Sequence, residues 1–165
     1  KIFLFVQRHS QSPDVLYKLS QAMDKRGDSV QQQKYASRFA EIVSLPVYGN
    51  MYNKYLIELC TGILHQPALA EKIAYRELQN RFIAQTAAWY VWALYQNGKT
   101  AEASRFYEQH VSGKPREGLE LYWMGKMMKG MNKAYNAKQY FKAAYKNRYD
   151  LSPYMTRELD TDLQK

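Results

Sequence analysis

A single cysteine, Cys60, stands among the 165 residues, and a lone thiol excludes an intrachain disulfide framework. Proline and glycine are sparse, at 5 and 8 residues. No stretch alternates apolar and polar residues for long, which argues against a turn-rich sheet protein and for long helices. No apolar run reaches the roughly 18 residues needed to cross a bilayer. The opening Lys1-Ile2-Phe3-Leu4-Phe5-Val6 is too short for that and lacks the small-residue cleavage site of a signal peptide. There is no initiating Met, so the chain is expected to be a fragment of a longer one or a processed form. Nothing fixes a compartment: cytoplasmic and exported, periplasmic locations are equally compatible.

Motifs for chemistry are missing as well. His9, His65 and His110 lie far apart, with no Cys or carboxylate at metal-ligand spacing, and HExxH, paired-Cys and phosphate-loop motifs are absent. Gly125 and Gly130 resemble a GxxxxG fragment, but no GK[ST] follows; close helix packing and helix termination explain them better. Cys60 sits on an apolar stripe with no basic partner and reads as a small buried hydrophobe. Glu71, Glu77, Glu102 and Glu108 read as solvated or ion-paired helix faces. No enzyme activity, cofactor or metal is expected.

What is present is aromatic and basic. There are 15 Tyr, 6 Phe and 3 Trp, and the formal net charge is +9. That charge attracts polyanions at long range without saying which.

The chain also repeats itself. Ala36, Ala70, Ala103 and Ala137 recur 33 or 34 residues apart, followed in each copy by a large residue, Phe39, Ile73, Phe106 or Tyr140. Another slot holds Ser20, Ile57, Val91 and Gly125. Each copy reads as two helices. Ser12-Pro13 makes a cap-plus-proline start, and Gly27-Asp28 and Leu45-Pro46 are breaks. Pro67 opens a helix, Asn97-Gly98 and Gly130-Met131-Asn132 divide the third and fourth pairs, and Ser152-Pro153 starts a closing helix. The pairs fall at about 13–46, 50–81, 83–112 and 117–149, with a capping helix at 152–164. Lys1 to His9 reads as the second helix of a truncated preceding pair.

This combination resembles the tetratricopeptide repeat over about residues 12 to 150. Ala87-Ala88-Trp89-Tyr90-Val91-Trp92-Ala93-Leu94-Tyr95-Gln96-Asn97-Gly98 is similar to the "DALAWALY–NG" segment of a group of bacterial tetratricopeptide proteins. Tyr122 to Met127 and Asn147 to Pro153 are similar to that group's "YHAGMI" and "NP-F-P" stretches. Asn132, His110 and Tyr149 depart from the pattern, standing where it has Gly, Ala and Pro.

The resemblance implies an all-α, right-handed α-solenoid of about four helix pairs plus a capping helix, with the first helix of each pair lining a concave groove. The groove slots then hold Tyr17, Gln21, Lys54, Glu58, Trp92, Gln96, Tyr122, Lys126 and Lys129. Rings, amides and lysines there suit an extended and acidic peptide or a partner domain. A helical stripe of rings can equally be core, which is the competing reading of Trp92 and Tyr122. The carboxylate clamp of some such domains is not implied, because Tyr17, Gln21 and Trp92 occupy its positions. The expected role is a protein-interaction scaffold. A basic nucleic-acid-binding repeat is the alternative, and self-association as a structural arm is a third reading.

Overall fold

A computed structural model describes residue 5, residues 12–115 and residues 117–164, residue 134 by its backbone only. Apart from Phe5, the helix expected at Lys1 to His9 lies outside the described residues. Among these residues the chain is all-helical, with nine α-helices and no strand. They are α1 (Asp14–Arg26), α2 (Ser29–Val43), α3 (Asn53–Thr61), α4 (Pro67–Asn80), α5 (Ala84–Gln96), α6 (Thr100–His110), α7 (Gly118–Gly130), α8 (Ala134–Lys146) and α9 (Pro153–Gln164). Short 3₁₀ turns at Pro46–Tyr48 and Arg148–Asp150 follow α2 and α8. No described helix is long and apolar enough to cross a membrane.

Local chemistry sets the boundaries. The Ser12 hydroxyl accepts from the Asp14 N–H at 3.3 Å, and Pro13 immediately precedes α1. Gly27 closes α1 at φ 73°, and Asp28 starts α2 by accepting from the Gln31 N–H at 3.0 Å. Asn132 takes φ 58° where the repeat pattern has glycine, since Asn tolerates the left-handed region better than most residues. The Ser152 hydroxyl accepts from the Met155 N–H at 3.2 Å at the start of α9. The third helix is shorter than the apolar run Met51 to Leu64. It stops at Thr61, whose hydroxyl donates back to the Ile57 carbonyl, and Gly62 follows.

Consecutive helices pack closely within α1–α2, α3–α4, α5–α6 and α7–α8, and α4 also packs on α5. α5 touches both α3 and α7. Two apolar clusters form the core, joined where Leu64 and Ile73 touch both. The four recurring alanines are all buried, as are Ser20, Ile57, Val91 and Gly125. A Cβ on Gly125 would lie 2.5 Å from the Phe141 ring, so that glycine is required by helix contact. The large slot is not uniform, however. Phe39 is fully buried between Tyr17 and Tyr52, whereas Phe106 and Tyr140 are only partly buried. Their neighbours Tyr107 and Phe141 take the deep positions instead.

The last helix does more than cap. α9 packs on α8 and also reaches back to α1, where Arg157 pairs with Asp24 at 2.9 Å. It further meets α7 through Lys126, which pairs with Glu158 at 3.2 Å and Asp162 at 3.4 Å, and through a Lys129–Asp162 pair.

Candidate binding cavity

Folding back in this way, α9 leaves a cavity of about 510 Å³ between itself and α1, α3 and α5. Three of the nine groove residues expected from sequence line it: Gln21 from α1, Glu58 from α3 and Gln96 from α5. Leu59, Ile63 and Met155 supply apolar wall. Asp24, Thr61, His65, Ser152 and Tyr154 also line it. Sequence reasoning missed these because nothing local shows that α9 returns to α1.

Glu58 is the chemically distinctive group. Its carboxylate accepts from the Tyr17 hydroxyl at 2.7 Å, and among the described residues it has no ion pair. Burial pushes its carboxyl up to about 7, opposed by the Tyr17 hydrogen bond and by the charges of Lys54 and Lys18. Burial, together with the charge of Glu58, raises the Tyr17 phenol. Tyr17 itself is buried, its ring 4.7 Å from that of Tyr55. It therefore belongs to the wall behind Glu58 and not to the open surface.

Trp92 and Tyr122 correct the expected groove in the same way. Trp92 is 8% exposed, stacks on Trp123 at 5.6 Å, and donates its indole N–H to Thr61 at 3.1 Å. Tyr122 is 3% exposed and faces Phe141. α5 and α7 have neighbours on nearly every side, so their rings are core. They cannot serve as readily accessible peptide contacts.

The groove lysines are internally neutralised. Lys54 pairs with Asp150 at 3.5 Å and Glu117 at 3.6 Å, while Lys126 and Lys129 are held by α9 as described above. Glu117, Glu120 and Asp150 bring three carboxylates within 4.8 Å of one another, a grouping the sequence did not suggest. The Lys54 ammonium supplies a cation to Glu117 and Asp150. Glu120 is buried and accepts from the Trp89 indole at 2.5 Å, leaving its other oxygen without a partner among the described residues. Burial raises its carboxyl, partly offset by Trp89 and Lys54.

Of the remaining candidates for chemistry, Glu71 and Glu102 share a second, open pocket with Tyr90 and Lys99, whereas Glu77 and Glu108 do not line it. Glu71 binds Lys99 and Asn97, Glu77 binds Asn53 and Arg81, and Glu108 pairs with Lys133. Burial pushes the Cys60 thiol up to about 11, which disfavours the reactive thiolate. The basic surplus includes exposed residues of the second helices. Arg38, Lys72 and Arg105 share one repeat slot there, with no ion pair among the described residues.

Comparison with protein-family models, with curated proteins and with solved structures gives no match.

Proposed function

We propose that the chain is a tetratricopeptide-type right-handed solenoid of about four helix pairs, and that it acts as a protein-interaction scaffold. An extended segment of a partner binds on the side presented by the first helices, entering the cavity that α9 leaves open. One observation carries this reading: Gln21, Glu58 and Gln96, assigned to groove slots by the tetratricopeptide resemblance, line a single cavity of about 510 Å³. That volume is within the usual range for ligand sites, and amides beside apolar wall suit a peptide backbone.

A displayed library of random linear peptides tests the proposal. The native chain should enrich a family of sequences. The variant Gln21→Trp/Gln96→Trp, whose indoles fill the cavity, should lose them while keeping its helical circular dichroism. Failure to enrich any sequence, or enrichment indifferent to the filled cavity, rejects the scaffold reading. The nucleic-acid alternative draws on the ladder of Arg38, Lys72 and Arg105. It would be favoured by binding of single-stranded oligonucleotides that weakens steeply with salt.

A further inference from the structure

We propose that the cavity selects a cationic side chain, arginine or lysine, on the bound segment, with Glu58 as its counter-charge. This rests on the scaffold reading above and reverses the charge that composition suggests for the partner.

The argument concerns which charges are already matched. Among the groove lysines, Lys54, Lys126 and Lys129 all sit against carboxylates of the chain itself. Asp24, the other acid lining the cavity, is paired with Arg157. Among the described residues, Glu58 alone of the charged cavity residues from α1 and α3 has just a neutral hydroxyl, that of Tyr17, as its polar partner. Lys18, the nearest cation on α1, donates to Gln21 and lies 5.4 Å from the centre of the Tyr17 ring. A half-buried carboxylate held this way has unfilled acceptor capacity beside a space that can take a ligand.

The walls suit the same ligand. A lysine or arginine needs apolar surface for its stem and an acceptor for its head. Leu59, Ile63 and Met155 offer the former and Glu58 the latter, with the Gln21 and Gln96 amides beside it. The overall charge of +9 does not oppose this. The second helices carry Lys34, Arg38, Lys72, Arg76, Arg105, Lys138, Lys142 and Lys146 on exposed faces, and at about 0.15 M salt fields fade over roughly 8 Å.

The test uses fluorescent decapeptides that share one Gly/Ser/Ala background and carry Arg, Lys, citrulline or Glu at the centre. Their binding to the full chain is read by anisotropy at pH 8. The Arg and Lys peptides should bind about tenfold tighter than the citrulline and Glu peptides, the effect of one charge-assisted hydrogen bond. Glu58→Gln keeps an acceptor for the Tyr17 hydroxyl and should abolish that preference. If Arg and citrulline peptides bind equally, the Glu peptide binds best, or the preference survives Glu58→Gln, the charge assignment is overturned and the scaffold stands. If none of the four binds while the random library yields ligands, the assignment again fails alone; if the library also yields none, both fail. Should Glu58→Gln lose its helical signal, the arginine-to-citrulline ratio on the native chain decides by itself.

Discussion

Glu58 links protonation to folding. Its carboxyl titrates near 7 in the folded chain against an ordinary 4.5. Between those values the native state holds more of the proton than the unfolded state does. Unfolding therefore releases protons, and the contribution of Glu58 to stability is fully present below about pH 4.5 and lost as pH rises toward 7. The expected loss is about 1–3 kcal/mol. Urea midpoints of the native chain and of Glu58→Gln, measured from pH 4.5 to 8, should diverge in this sense. Parallel curves would show that the carboxyl is not perturbed. At the residue level, the slots of Glu58, Gln21 and Gln96 lie on first helices, and the structure brings the three to one cavity. For Trp92 and Tyr122 the sequence left groove and core both open, because a ring on a helical stripe looks the same whether water or another helix lies opposite. Here Trp123 and Phe141 lie opposite.

At the scale of the element, one acid of α9 takes two lysines of α7. The Asp162 side chain is 4% exposed and receives both Lys126 and Lys129. Asp162→Asn removes that charge while nearly preserving shape. It should cost about 1–3 kcal/mol, less than a fully buried pair because the lysines are partly solvated. Hydrogen exchange should speed up along α9 before it does so elsewhere. Unchanged α9 protection would mean that Met155 and Leu159, both buried, hold the helix unaided. The helix starts at Ser12 and Ser152 were legible because such hydroxyl contacts are short-range, acting within three residues, whereas Asp28, read as part of a break, also starts α2. Where α9 comes to rest was not legible. Its ion pairs span 32 to 133 residues, and only the packing of helices remote in sequence brings those partners together. Gly118 shows the same limit: a Cβ there would meet the Asn147 carbonyl at 2.0 Å, a constraint imposed by a remote turn and absent from the local pattern.

Seen as one molecule, the chain departs from a simple array of hairpins. In a linear stack each unit leans only on the next, so the ends can fray while the middle persists. Here Asp24 and Arg157 join α1 to α9, and Lys54 on α3 reaches Asp150 in the turn after α8. Opening α1 must therefore disturb α9, and the reverse. Melting should be all-or-none, with equal calorimetric and van't Hoff enthalpies, and a staircase of separate transitions would show that the clasp does not close. A clasped chain also loses the freedom to lengthen like a spring under load, so it would serve as a fixed socket rather than as an elastic coil.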